Sequence, residues 1–306
     1  MTGRRLVVVA GPTGTGKSEL ALDLAERLDG EIVNADSMQL YRGMDIGTAK
    51  LAPADRRGIT HHLLDVLEVT QTATVAAYQR DARAAVEQIL ARGRTPLLVG
   101  GSGLYIRAVV DAIEFPATDP AVRARLEGEL AAVGAAAMAE RLTRADPTAA
   151  VMIGPANGRK IVRALEVIEL TGRPFSATMP RYDVPAHGAV QLLLDRETGE
   201  LDRRLEYRVH RMVEQGLLEE VRRLDAQGLR QGVTASRALG YAQFLQVLDG
   251  AATVASAVAA TAQATRRFVR RQRSWFRRDP RMIDLDAARA DLLDRAVEAV
   301  AGASVG

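Results

Sequence analysis

The sequence predicts an α/β protein built on a doubly wound parallel sheet, interrupted by an all-helical insertion and completed by C-terminal helices. Three observations carry this expectation. A β-branched run, Leu6 to Ala10, breaks into the glycine loop GPTGTGKS, after which Glu19 to Leu28 shows apolar residues at helical spacing. Short buried runs recur at 31–35 (EIVNA), 96–101 (PLLVGG) and 189–195 (AVQLLLD), the pattern of strands covered on both faces. Residues 119–172 are alanine-rich and helical, with no buried-strand run among them.

Taken in order, strand, glycine loop and helix open the chain, and EIVNA supplies the second strand. VAAYQRDARAAVEQILARG then reads as a helix ending at Gly93, before PLLVGG. Strands alternating with helices imply a parallel sheet. After the insertion, AVQLLLD returns to the core, and RMIDLD at 281–286 is a weaker strand candidate. Helices are expected over 202–227 and 251–278, separated by Gly228 to Gly240. The resulting division is 1–115 for the first part of the core, 116–187 for the insertion, and 188–306 for the rest of the core with basic helices.

At 306 residues, 47% hydrophobic and 26% charged, the composition excludes disordered and fibrous classes. Zero cysteines exclude disulfides, thiolate metal sites and a thiol nucleophile, and suit a reducing cytoplasm. Leu6 to Ala10 is too short for a signal-peptide core or for the roughly 20 residues that span a bilayer, so no membrane association is expected. The net charge is only +3, yet lysine occurs only at Lys17, Lys50 and Lys160 among 41 basic residues. Almost every cation is therefore a guanidinium, which grips phosphate in a two-point fork.

Gly11, Gly16, Lys17 and Ser18 fit G-x-x-x-x-G-K-S, with Pro12, Thr13, Gly14 and Thr15 between them, and the loop stands between a strand and a helix as that motif requires. This makes the core resemble that of the P-loop NTPases. Backbone amides can converge on phosphate at a positive helix terminus, Lys17 offsets anionic charge, and Ser18 can ligate magnesium. The loop specifies a diphosphate or triphosphate with its metal and nothing finer. No guanine-reading N-K-x-D follows, and PLLVGG ends in glycine where an ATPase strand often ends in an acid. Asp36 follows the second strand directly, where such sheets place ligands; it could hold magnesium, cap a helix or accept a proton. VGGSGLY at 99–105 makes a second glycine turn, which either approaches a ligand or packs helix on strand.

Eight arginines crowd 266–281 against one acid, Asp279, and Arg266, Arg270, Arg273 and Arg277 fall along one helical face. Single-sign charge this dense points to nucleic acid. Phe268, Trp275 and Phe276 supply an apolar anchor, with Trp275 expected in the core rather than stacked on a base. His61 and His62 are adjacent on a strand, which sets them on opposite faces, one packing inward, and argues against a shared metal.

The chain resembles the tRNA dimethylallyltransferases, also called tRNA isopentenyltransferases. The resemblance rests on GPTGTGKS at 11, NADSMQLYRGMDIGTAK at 34, HHLLDV at 61, VGGSGLYIRAV at 99, NGRKIVRALEVIELTG at 157, RALGYAQF at 237 and RQRSWFRRD at 271. It implies transfer of a dimethylallyl group from dimethylallyl diphosphate to N6 of the adenosine 3′-adjacent to the anticodon (position 37), in tRNAs reading codons that begin with U, with magnesium assistance. ATP is then not the substrate, and the phosphate loop cradles a diphosphate leaving group.

The resemblance makes Asp36 the general base and assigns Lys17 and the loop amides to the diphosphate, with Arg208 and Arg211 nearby; pairing of these arginines with Glu206 or Glu214 is the plainer alternative. Ser102 stands where the family usually has threonine, keeping the hydroxyl that steadies a phosphate. Tyr105 and Arg107 are expected at the same opening, and Met38, Leu40 and Met44 along a prenyl channel. Ser37, Met38 and Gln39 match a tRNA-contacting stretch, with Gln39 able to read an adenine edge or simply start a capped helix. Arg159, Lys160, Ile161, Val162 and Arg163 match a second such stretch on the insertion, where Arg123 and Arg125 add cations, while Arg270, Arg271, Arg273 and Arg277 serve the C-terminal patch. The expected partners are a tRNA anticodon stem-loop and dimethylallyl diphosphate, and the expected state is a cytoplasmic monomer. A small-molecule kinase and a non-catalytic RNA-binding switch are the rival readings.

Overall fold

The computed structural model describes residues 4–178 and 185–303. Residues 1–3, 179–184 and 304–306, which fall within the expected segments, lie outside the described residues. The chain divides into two compact units, residues 1–111 with 182–306, and residues 112–181.

The first unit opens with β1 (Val7–Ala10), α1 (Lys17–Leu28), β2 (Gly30–Asn34), β3 (His61–His62), α2 (Val75–Ala91), β4 (Thr95–Gly100) and α3 (Gly103–Val110). In the second unit, α4 (Pro120–Ala145), α5 (Pro147–Ile153) and α6 (Gly158–Thr171) follow. The first unit then resumes with β5 (Val190–Asp195), α7 (Thr198–Glu214), α8 (Leu217–Ala226), α9 (Tyr241–Leu248), α10 (Val254–Phe276), β6 (Met282–Asp286) and α11 (Leu292–Gly302). Six strands form one all-parallel sheet in the order β3-β2-β4-β1-β5-β6. Val7 to Ala10 are buried on both faces, as a central parallel strand requires. One face packs Leu6, Val8, Val33, Leu98 and Phe276; the other packs Val7, Val9, Leu22, Leu97 and Leu192.

The helix expected over 202–227 is two helices, because Gly216 takes a left-handed φ of 98° between α7 and α8. The connector from Gly228 gives way at Gly240 to α9, which no expectation covered. Leu40 and Met44 are core residues and line neither of the clefts at the strand ends, so neither lines a prenyl channel. Phe276 is buried, as expected of the apolar anchor, but Trp275 is 40% exposed rather than in the core: the indole lies so close over Gly103 that a Cβ there would meet its Cδ1 at 2.1 Å. No helix among the described residues is long and apolar enough to cross a membrane.

In the second unit each helix begins at a side-chain cap, from Asp119, Asp146 and Asn157 respectively. Leu126, Met138, Leu142, Ile161, Val162 and Leu165 form its core. Glu166 is fully buried there and accepts from Arg123 and, at 2.7 Å, from Arg163. Burial pushes its pKa up, but the two guanidinium groups outweigh burial and hold it below its ordinary 4.5. A carboxylate held below its unfolded value stabilises above that value and ceases to as pH falls through the folded one. Wild type is therefore expected to lose thermal stability on acidification below about pH 4.5, more steeply than Glu166→Gln; parallel melting curves for the two would refute the assignment.

Candidate active site

Parallel pairing aligns the strand ends, since Ala10 lies opposite Gly100 and Asn34 opposite Val99. The phosphate loop after β1, Asp36 after β2 and Ser102 after β4 consequently emerge at one carboxyl edge, the ligand side of such sheets. Two glycines make the crowding possible. A Cβ on Gly11 would lie 2.3 Å from the Leu194 carbonyl oxygen, and one on Gly100 would lie 2.2 Å from that of Ala35.

In the loop, Gly14 and Gly16 adopt φ of 88° and 100°, and Thr15 donates to the Pro12 carbonyl at 2.9 Å. Lys17 Nζ donates to the same carbonyl at 2.7 Å. Burial pulls the Lys17 pKa down to about 8; Asp36 opposes the shift and Arg208 adds to it. Ser18, in the first turn of α1, is exposed on the cleft wall.

Asp36 is held from both sides. Its amide donates to Asn34 Oδ1 at 2.9 Å, and Asn34 Nδ2 donates to the Asp36 and Leu63 carbonyls at 3.0 Å each. Its Oδ1 accepts from the Met38 amide at 2.9 Å, so the side chain closes a tight turn rather than capping a helix. Oδ2 accepts from no described residue, which leaves an oxygen available to a substrate. Tyr78 donates to the Asn34 carbonyl at 2.9 Å from below.

Two clefts meet at Asp36. The larger, about 640 Å³, is lined by Lys17, Ser18, Asp36, Arg204, Arg208 and Arg211 among others. The second, about 330 Å³, is lined by Met38, Ser102, Leu205, Val209, Phe268 and Arg271 among others. Thr13, Asp36, Thr48, Arg208 and Met212 belong to both. Burial lowers the Arg208 pKa while Asp36 raises it, and Arg208 Nη2 donates to the Thr48 carbonyl at 3.3 Å. Gln39 Nε2 donates to that same carbonyl at 3.2 Å. The Ser18 hydroxyl on the wall of the larger cleft suits magnesium, which keeps most of its water and binds through phosphate plus one or two protein oxygens. Among the described residues there is no group of three or more acid or histidine side chains that could hold a metal alone.

Other expected residues stand elsewhere. Tyr105 is buried against Tyr78, its pKa pushed up to about 12 chiefly by burial, and Arg107 is buried in a pair with Asp111 at 2.5 Å; neither reaches the opening. Arg211 lines the larger cleft while pairing with Glu214 at 3.2 Å. Arg273 is held by Asp195 at 2.7 Å and by Thr198 and the Arg196 carbonyl, so it braces the core rather than standing free for phosphate. Arg270, Arg271 and Arg277 are exposed, with Arg271 5.7 Å over the Phe268 ring. On the second unit Arg159 and Lys160 are exposed. Ile161 and Val162 are core, Arg123 and Arg163 are committed to Glu166, and Arg125 pairs with Glu129 and Glu169. His62 bonds Glu31 at 2.6 Å; His61 bonds the Ile59 carbonyl and lines the larger cleft.

Sequence reasoning missed Asn34, Glu220 and Gln272. Asn34 could have been read from its place two residues before Asp36, the spacing of an Asx turn. Gln272 stood out only as a polar residue on the stripe running Val269, Gln272, Phe276.

Residues 39–279 match the family model described as IPP transferase. A tRNA dimethylallyltransferase of Saccharopolyspora erythraea is 65% identical over 288 residues, covering 94% of this chain and 93% of that protein. A full-length tRNA isopentenylpyrophosphate transferase from Bacillus halodurans has a solved structure that superposes with a TM-score of 0.73 at 36% identity, covering 98% of this chain and 97% of its own. A eukaryotic dimethylallyltransferase acting on tRNA gives a TM-score of 0.80 at 25% identity, over 98% of this chain and 79% of its own.

Proposed function

Because the chain belongs to the IPP transferase family, we propose that it transfers the dimethylallyl group of dimethylallyl diphosphate to N6 of the adenosine 3′-adjacent to the anticodon, in tRNAs that read codons beginning with U. The observation that carries this reading is the meeting of two clefts at one carboxylate: a phosphate-binding side with Lys17 and Arg208, and an opening walled by Met38, Ser102 and Phe268.

The loop amides from Gly14 to Ser18, with Lys17 and Arg208, would bind the diphosphate. Met212, shared by both clefts, with Leu205 and Val209 beside it on α7, would face the prenyl methyls where the clefts meet. An unpaired anticodon-loop adenine enters from the second opening at a cost of a few kcal/mol for extrusion, offset by contacts with Ser37 to Gln39 and Ser102. The bond from the allylic carbon to the diphosphate oxygen breaks, its electron pair leaving with the diphosphate, while N6 bonds that carbon. Asp36 Oδ2 takes the proton N6 loses. Lys17 and the loop amides are aimed at the oxygens on which charge accumulates, so they stabilise departure more than the ground state. Magnesium held through Ser18 would further neutralise the leaving group.

Arg270, Arg271 and Arg277, with Arg159 and Lys160, are assigned to the RNA backbone. Changing Arg270, Arg271 and Arg277 together to glutamine is expected to flatten the log–log dependence of tRNA affinity on salt by about 0.7–0.9 per lost contact. An unaltered slope would remove this face from the interface. The enzyme is taken to act as a cytoplasmic monomer.

The deciding experiment incubates the chain with unmodified tRNA, labelled dimethylallyl diphosphate and magnesium, then digests the RNA to nucleosides. Label on adenosine is the expected outcome. Transfer from γ-labelled ATP to a small molecule would establish a kinase instead, and nucleotide-dependent RNA affinity without product would establish a switch.

A further inference from the structure

Gln272 is 5% exposed on α10, inside the run of arginines, and it turns inward. Its Oε1 accepts from the Thr13 amide at 3.1 Å, and its Nε2 donates to the Gly101 carbonyl at 3.0 Å. One side chain thus joins two backbone turns that leave different strands, the phosphate loop after β1 and the turn after β4 whose next residue is Ser102. The fit is close, because a Cβ on Gly101 would lie 2.3 Å from Nε2.

Packing alone does not call for this residue. Val269 and Phe276 on the same stripe are buried hydrophobics, and an apolar side chain would fill the place without the cost of desolvating an amide. That cost is recovered only because both ends of the amide are paired. The loop is otherwise tied to its surroundings by side chains of α7 and the segment before it, Arg196 to the Thr15 carbonyl at 3.2 Å and Arg204 to that of Gly14 at 3.3 Å. Neither of those reaches the turn that carries Ser102.

We propose that Gln272 is a positioning residue for prenyl transfer, clamping the phosphate loop at one fixed separation from the Ser102 turn so that donor and acceptor meet in register. This rests on the function proposed above. Displacement by about 1 Å at a reacting centre costs on the order of 10²-fold in rate.

The test compares full-length wild type, Gln272→Met and Gln272→Glu in prenyl transfer to unmodified tRNA. Methionine keeps the length and loses both hydrogen bonds, so kcat should fall about 10- to 100-fold and KM for dimethylallyl diphosphate should rise, with tRNA Kd changed less than about twofold. Glutamate keeps the acceptor for Thr13 but cannot donate to Gly101 until it is protonated. Its activity relative to wild type should therefore climb as pH falls, while the methionine ratio stays flat. A methionine variant with wild-type kcat and donor KM, or one whose loss is only a smaller active fraction at unchanged KM, overturns the assignment. If that variant does not fold, a flat pH ratio for the glutamate variant overturns it instead. A wild type that transfers no prenyl group overturns the function and this assignment together, whereas an active wild type beside an unimpaired methionine variant overturns this assignment alone.

Discussion

Asp36→Asn is expected to slow prenyl transfer by about 10²- to 10⁴-fold, the usual contribution of a positioned general base, while tRNA affinity stays within about threefold. Asparagine retains an oxygen for the Met38 amide, so the turn that Asp36 closes survives, and only the second oxygen loses its ability to take a proton. Asp36→Ala removes the turn as well and is expected to abolish transfer. Single-turnover transfer with enzyme in excess, followed beside tRNA binding, separates the two effects. The backbone of Asp36 remains gripped by Asn34 and the turn remains closed in the asparagine variant, so a large drop there cannot be assigned to a collapsed loop. An asparagine variant with near-normal turnover would leave the proton to another group and remove Asp36 from the chemistry.

Glu220→Ala is expected to give the largest loss of stability. Glu220 is 2% exposed on α8, and its two oxygens accept from the amides of Asp45, Ile46 and Gly47 at 3.2, 2.9 and 3.2 Å and from the Tyr241 hydroxyl at 2.6 Å. Truncation strands the buried Tyr241 hydroxyl and leaves three half-buried amides without their acceptor, a loss of about 3–5 kcal/mol, or roughly 6–12 °C in the unfolding midpoint. The next residue, Thr48, offers the carbonyl that both Arg208 and Gln39 use, so donor KM should rise in the surviving fraction. Glu220→Gln, which keeps one acceptor oxygen but turns an NH2 toward the remaining donors, should fall between. A midpoint within about 2 °C of wild type for the alanine variant would show that water or rearrangement replaces the carboxylate.

The residues whose place is legible in the sequence are those positioned by their own neighbours. Gly11 to Ser18 carry the loop within eight positions, and Asp36 and Ser102 follow strands whose ends the burial pattern places to within about a residue. Roles created by distant partners left no local trace: Glu220 acts on a segment some 175 positions earlier. Arg163, expected on a tRNA-contacting stretch, pairs with Glu166 three residues along, a partner as visible in the sequence as the stretch itself. Trp275 was misplaced because aromatic size argues for burial, whereas Gly103 provides a shelf that covers the indole while leaving it 40% exposed.

The contact between Thr13 and Gln272 closes a loop of 259 positions, so the helix that braces the phosphate loop is synthesised long after it. Long-range closure of this kind is slow to form. A nascent chain in which β1, β2 and β4 have paired would therefore hold an unbraced loop, and competence to bind the isoprenoid donor should arise only after α10 has been released and docked.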